Sequence, residues 1–368
     1  MTGPIMIAAG GTGGHFFPAE ALADELQRRG RTVALMTDAR SSGERSAVFA
    51  NAERFVLSGG GIAGHGLGRK LRSTASLAAG TMQALGILRR LRPSAIVGFG
   101  GYPTLAPVLA SRAMRHRPRI VLHEQNAVLG RANRAMTRLS DRLALSFPDT
   151  ARVPEGARSE VTGNPVRAAI IARAGASYCP STDMFNLLVL GGSLGASVFS
   201  NVVPDAISLL DDKAIARLRI TQQCRKEDLD KVAKAYAALG ITANLSSFFA
   251  DVAGELAKAH IVIARAGAST VAELAAIGRP SILVPLPSAI DDHQRANARA
   301  IADAGGAWMM HQSIFTASDL ADFLAPLIEA AASLTPVAEA AAGFSRIDAT
   351  ARLADLVEQT INSAENAA

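Results

Sequence analysis

Three short apolar runs in this chain each end in a cluster of glycines. Ile5–Ala9 meets Gly10-Gly-Thr-Gly-Gly14, Ala95–Gly98 continues as Phe99-Gly-Gly-Tyr-Pro103, and Asn186–Leu190 meets Gly191-Gly-Ser-Leu-Gly195. Helical spacing follows the first and third, over Pro18–Arg29 and Ser197–Leu210. The unit strand, glycine loop, helix therefore opens two halves of the chain. Further strands are predicted at Thr32–Met36, Arg119–His123 and Arg142–Leu145, then at Leu218–Gln222, Ile261–Ala264 and Ser281–Val284. Strands alternating with helical spacers argue for parallel sheets. The expected fold is α/β: two Rossmann-like, doubly wound domains facing each other across a cleft, with ligands at the carboxyl ends of their strands. At 368 residues there is chain enough for both. Gly163-Asn-Pro-Val-Arg167 punctuates the sequence and sets the expected boundary. This gives domains of 1–166 and 167–345, with a helix over about 346–368 expected to pack back on the first.

Glycine lets a backbone approach a pyrophosphate and adopt positive φ. Any one of these loops reads equally as a tight turn with no ligand; three, each after a strand, favour a phosphate-rich ligand. No Gly-Lys-Ser/Thr follows them, and none is a clean GxGxxG, so neither a Walker loop nor a dinucleotide fingerprint is indicated.

Two cysteines, Cys179 and Cys224, with no CxxC or His-rich cluster, argue against a disulfide framework or a zinc site. The start, Pro4-Ile-Met-Ile-Ala-Ala, lacks a basic segment and is expected to be a strand rather than a signal peptide. Met184–Pro204 carries no charge, but glycines and polar residues interrupt it. It reads as strand, loop and helix rather than as a membrane span.

Charge is one-sided. Residues 1–166 hold 22 Lys and Arg against 11 Asp and Glu, whereas the remainder holds 16 against 21. No carboxylate occurs from Arg54 to His123, a window that includes Arg69, Lys70, Arg72, Arg89 and Arg90 among Leu67, Leu71, Leu77, Met82, Leu85, Ile87 and Leu88. A basic amphipathic helix suits an anionic membrane surface. The plainer reading is a core-facing helix with a solvated basic face. Nucleic acid is not expected, because no aromatic platform or binding module accompanies the arginines.

The second half concentrates its chemistry in Ile261–Glu273, where a buried strand enters a turn of small residues and then a helix. Ser269 and Thr270 are candidate caps. Unpaired N–H groups at the helix start suit an anion, and Glu273 is placed to take two vicinal hydroxyls, as on a ribose. The same residues also read as an ordinary capping box. In the first half, His15 closes a glycine loop as a candidate general base or a polar cap. His123 and Glu124 read as a buried polar pair supporting the loops. Asn126 is placed to reach the cleft, and Arg167 to pair with a phosphate or brace the hinge.

Taken in order, Gly10-Gly-Thr-Gly-Gly-His15, Gly98-Phe-Gly-Gly-Tyr-Pro-Thr104, His123-Glu-Gln-Asn126, Gly163-Asn-Pro-Val-Arg167, Gly191-Gly-Ser193, Arg265–Glu273 and Asp292-His-Gln294 resemble the MurG family of GT-B glycosyltransferases over nearly the whole chain. The resemblance implies transfer of N-acetylglucosamine from UDP-N-acetylglucosamine to the 4-hydroxyl of the muramoyl sugar of lipid I, with inversion, giving lipid II. It implies a peripheral enzyme on the cytoplasmic face of the inner membrane, with cell-wall synthesis and division proteins as partners. It places Thr12, Gly13 and Gly14 by the sugar and the reaction centre, and Asn126 and Gln294 on the N-acetylglucosamine. Arg167 and Ser193 fall near the diphosphate, the backbone of Phe249 on uracil, and Ala268, Ser269, Thr270, Val271, Ala272 and Glu273 around ribose and phosphate. His15 becomes the base or the group that orients the acceptor.

Inversion needs one displacement: a base takes the hydroxyl proton while charge builds on the departing UDP, which helix N-termini and Arg can stabilise. No Asp-x-Asp motif is present. Asp211-Asp212 reads as a helix end and Asp291-Asp292 as a loop, so neither a metal nor a cofactor is expected. Two positions depart from the family: Leu194 stands where many members carry Gln, and Phe16 where Val is common. The competing readings are another GT-B glycosyltransferase, a UDP-sugar epimerase, and a non-catalytic UDP-sugar-binding scaffold.

Overall fold

The computed structural model describes residues 3–10, 13–39, 46–58, 67–180, 183–192 and 195–365, apart from the side chains at 67–73 and 364–365. The chain divides into two compact units, Met1–Arg167 with Arg346–Ala368, and Ala168–Ser345.

Among the described residues, unit 1 carries seven strands: β1 (Ile5–Ala8), β2 (Val33–Thr37), β3 (Glu53–Val56), β4 (Ala95–Gly98), β5 (Arg119–Glu124), β6 (Arg142–Leu145) and β7 (Ser159–Val161). They pair in parallel in the order β3-β2-β1-β4-β5-β6-β7. Side chains alternate across a sheet. Ile5 and Ile7 therefore join Leu22 and Leu26 of α1 (Gly13–Arg28) on one face, and Met6 joins Leu85 and Leu88 of α2 (Leu67–Leu91) on the other. Being covered on both faces, β1 needs an unbroken apolar run. The C-terminal helix Ala349–Glu365 completes the first face with Leu353, Leu356, Val357 and Ile361. Arg29 fastens it to α1 by donating to Asp355 (2.6 Å) and Glu358 (2.9 Å).

Unit 2 repeats the plan with six parallel strands: β8 (Phe185–Leu190), β9 (Leu218–Gln223), β10 (Asn244–Ser246), β11 (Ile261–Ala264), β12 (Ser281–Leu283) and β13 (Ala307–Met309), in the order β10-β9-β8-β11-β12-β13. Both orders reverse direction beside the first strand of the sheet, between β1 and β4 and between β8 and β11. In open parallel sheets that reversal opens a crevice at the carboxyl ends of the strands.

Four strands escaped the sequence pattern, β3, β7, β10 and β13, and they are the four sheet edges. Met184–Pro204 divides into β8 and the helix Ser197–Ile207. Among the described residues, no single helix is long and apolar enough to cross a membrane. Asp211 begins a helix rather than ending one: its carboxylate accepts from the Ala214 N–H at 2.7 Å, as an N-cap does.

The carboxylate-free window also looks different once folded. Leu85 and Leu88 face the core of unit 1, Leu77 and Ile87 pack against it, and Met82 is 69% exposed. Carboxylates arrive from outside the window, Glu53 on Arg90 (2.6 Å) and Asp141 on Arg117 and Arg119 (3.0 and 3.3 Å). The side chains of Arg69, Lys70 and Arg72 lie outside the described residues.

Candidate functional site

In unit 1 the start of α1 and the loops after β4 and β5 meet at the carboxyl end of the sheet. Gly100 and Gly101 hold φ of +88° and +71°, a region open to glycine. This lets α3 (Tyr102–Ser111) start at once, and Thr104 Oγ1 donates back to the Gly100 carbonyl (3.0 Å). Helix α1 starts at Gly13, so His15 lies in its first turn rather than in the preceding loop. Gly13 and Gly14 are the first two residues of that helix; Thr12 lies outside the described residues.

His15 is half-buried, and its Nδ1 is 2.8 Å from Gln125 Oε1. The Gln125 amide nitrogen lies 3.0 Å from His123 Nδ1 and donates to the His123 carbonyl (3.1 Å). His123 Nε2 is 3.0 Å from the Gly163 carbonyl oxygen. Glu124 takes four N–H groups: Asn126 N (3.0 Å) and Nδ2 (3.1 Å) on Oε1, and Gly130 N (2.8 Å) and Asn133 Nδ2 (2.9 Å) on Oε2. His123 and Glu124 thus support the loops separately rather than as a pair. Neighbours on a strand point to opposite faces, which sends them to different partners. Asn126 is oriented by Glu124 through both its backbone and its side chain. Arg167 lies over the ring of Phe17 in α1, 4.8 Å from its centroid.

Burial holds His123 neutral, pushing its pKa from 6.5 down to about 4. The unfolded chain therefore binds a proton here at a pH where the folded chain does not. The contribution of neutral His123 is fully present above pH 6.5 and is lost as pH falls toward 4. Between pH 7.5 and 4, wild type should lose about 3 kcal/mol more stability than His123→Gln. Denaturant midpoints at the two pH values measure the difference; equal losses would refute it.

In unit 2 the loop after β8 uses positive φ at Gly192 and Gly195; Ser193 and Leu194 lie outside the described residues. After β11 the chain enters the helix Ala268–Ile277. Ser269 and Thr270 are not its caps. Gly267 takes the N-cap position in extended conformation, without a side-chain cap, and the two hydroxyl residues fall inside the first turn. With glycine at the cap and Thr270 three residues on, no capping box forms. The side chains of Ala268 and Val271 are buried, so only their backbone can meet a ligand; Ser269, Thr270 and Ala272 are partly exposed, and Glu273 is 8% exposed.

Gln294, in the helix His293–Asp303, accepts the Leu286 N–H on Oε1 (3.0 Å) and so shapes the loop after β12. Asn297 of the same helix donates to the Ala266 carbonyl (3.1 Å). Asp291 and Asp292, just before it, hold φ of +54° and +56°. Phe249 follows β10 half-buried, beside Phe248, which is 75% exposed.

Sequence reasoning missed Gln125, Asn133 and the role of Arg265. The Arg265 guanidinium donates to the Val284 and Pro285 carbonyls (3.0 and 3.2 Å) and to Gln312 Oε1 (2.7 Å), joining the loops that follow three strands. Gln125 stood inside a motif already singled out. Its signal was an amide between two histidine-bearing segments, which only tertiary contact could turn into a link. Among the described residues, no group of three or more His, Cys, Asp or Glu side chains is placed to hold a metal ion.

The glycosyltransferase family 28 N-terminal domain matches residues 5–145, and the family 28 C-terminal domain matches residues 186–359. A protein of Granulibacter bethesdensis is 58% identical over 363 residues, covering 98% of this chain and 94% of the relative. One of Acidiphilium cryptum is 52% identical over 361 residues, covering 98% of each. Both are named UDP-N-acetylglucosamine--N-acetylmuramyl-(pentapeptide) pyrophosphoryl-undecaprenol N-acetylglucosamine transferase. The crystal structure of Acinetobacter baumannii MurG superposes with a TM-score of 0.78 at 30% identity, covering 97% of this chain and 99% of that one. With two successive domain matches and relatives of this identity along its whole length, the chain belongs to glycosyltransferase family 28, within the MurG family.

Proposed function

We propose that the chain transfers N-acetylglucosamine from UDP-N-acetylglucosamine to the 4-hydroxyl of the muramoyl sugar of lipid I, giving lipid II with inversion. The observation that carries this reading is the 58% identity, over nearly its full length, to a relative named for that transfer. His15, near the start of α1 with one ring nitrogen held by Gln125, takes the acceptor proton. The uncapped start of the helix Ala268–Ile277 receives the diphosphate, and its N–H groups meet the charge that builds as UDP leaves. Glu273 binds the ribose hydroxyls, the Phe249 backbone binds uracil, and Arg167 and Ser193 assist at the diphosphate. Asn126, Gln294, Thr12, Gly13 and Gly14 surround the sugar. Purified protein given labelled UDP-N-acetylglucosamine and a lipid I analogue should form the disaccharide product. Failure to form it would overturn the reading.

Glu273→Ala should lose roughly 1–3 kcal/mol of UDP binding, the scale of a broken charged hydrogen bond. Calorimetry with UDP measures this, and unchanged affinity removes Glu273 from the ribose.

The same reading puts the protein on the inner face of the plasma membrane. The support is α2, whose solvated side presents Met82 and Arg89. Replacing Arg69, Lys70, Arg72, Arg89 and Arg90 by Ser should weaken binding to anionic vesicles and flatten its salt dependence, because exposed charges are screened over about 8 Å at physiological salt. Arg90 already has Glu53, so its share should be the smallest. Equal vesicle binding by the variant would move the contact elsewhere.

A further inference from the structure

We infer that Gln125, itself oriented by His123 and the Gly163 carbonyl, sets the tautomer of His15 and leaves its Nε2 as the bare, proton-accepting nitrogen. The inference rests on reading His15 as the base.

The chain of reasoning starts at a backbone oxygen. A carbonyl only accepts, so the His123 nitrogen 3.0 Å from it, Nε2, carries the hydrogen. His123 is fully buried and neutral, so its other nitrogen, Nδ1, has no hydrogen and accepts. Gln125 meets two acceptors on that side, His123 Nδ1 (3.0 Å) and the His123 carbonyl (3.1 Å). Only the NH2 end of its amide satisfies both; the flipped amide would set oxygen against oxygen. Gln125 is 1% exposed and has no room to trade these partners for water. Its Oε1 therefore points at His15 Nδ1, 2.8 Å away, and an amide oxygen requires an N–H there. A neutral imidazole with Nδ1 protonated has its lone pair on Nε2.

Gly100 lies beside the His15 ring. A side chain at Gly100 would place its Cβ 3.6 Å from His15 Cε1, and φ of +88° there already favours glycine. Glu124, the carboxylate next to Gln125 in the sequence, is engaged by Asn126, Gly130 and Asn133. The partner of His15 is thus a neutral amide, whose oxygen fixes the tautomer.

The test uses the full-length protein labelled with 15N in its histidine rings. The His15 signals are assigned by their loss in His15→Asn. The expected wild-type spectrum shows His15 protonated on Nδ1 and bare on Nε2, and His123 the reverse. In Gln125→Leu the His15 signals should move to a mixture of tautomers, kcat should fall about tenfold or more, and KM for UDP-N-acetylglucosamine should stay within about twofold. A wild-type His15 protonated on Nε2, or an unchanged His15 tautomer in Gln125→Leu, would overturn the inference. Should the variant fail to fold, the wild-type spectrum alone decides between the tautomers. Absence of transferase activity from the wild type would instead count against the proposed reaction, with the nitrogen shifts still deciding the relay.

Discussion

His15→Ala should lower turnover by about 10²–10⁴-fold, the usual contribution of a general base, while UDP affinity stays near that of wild type. The two effects separate because His15 belongs to unit 1, whereas the residues proposed for the nucleotide, Arg167 excepted, belong to unit 2. Alanine retains the helix, so α1 should persist and the loss should be chemical. Turnover with a lipid I analogue and calorimetry with UDP test both halves of the expectation. The pH profile adds a third measurement: the wild type should show an acidic limb that the variant lacks. Near-normal turnover with an unchanged profile would send the search for the base to Glu124 or to a water held by Asn126.

The second large effect is on stability. Glu124→Leu should destabilise unit 1 by about 3–5 kcal/mol, because four N–H groups lose their acceptor in a site where Glu124 is 2% exposed. Glu124→Gln should cost less. It retains one oxygen for two donors, but it turns an NH2 group toward the others. Denaturant unfolding of both variants gives the ranking. The stability increment that UDP confers should largely survive in each, since its proposed contacts other than Arg167 lie in unit 2. Two variants as stable as wild type would mean that water replaces the carboxylate, and Glu124 would then be no scaffold.

Most of the strands that could be read from sequence share one property, burial on both faces; β9, with Arg219 exposed, is the exception. β1, β4 and β11 appear as unbroken apolar runs, β6 and β8 as runs broken only by Arg142 and Asn186, and glycine loops mark the carboxyl ends of β1, β4 and β8. The edge strands β3, β7 and β10 are mostly exposed, as at Glu53, Ser159 and Asn244, so no apolar run announces them. Charge misled for a related reason. The window without carboxylates is a property of the sequence, and the fold brings Glu53 and Asp141 to three of its arginines. At the site, residue types and loops were legible, whereas partners were not. Ser269 and Thr270 have the chemistry of caps, but the N-cap is the extended Gly267, two residues before Ser269. Nothing local in the sequence says that Gln125 spans two histidines, 110 residues from one and two from the other.

The C-terminal helix has a consequence for the order in which the protein can be made. Its Leu353, Leu356, Val357 and Ile361 fill the face of the sheet behind α1, and its first residues lie against Gly163, where a side chain on the glycine would collide with Arg346 and Ala349. At ordinary translation speeds of about 5–20 residues per second, those residues emerge some 10–40 s after the rest of unit 1. Throughout that wait the nascent first unit exposes the apolar wall on which the C-terminal helix is to rest, while all of unit 2 emerges and can fold. A chain released before Ala349 is made should therefore have a sound unit 2, while its unit 1 is a chaperone substrate.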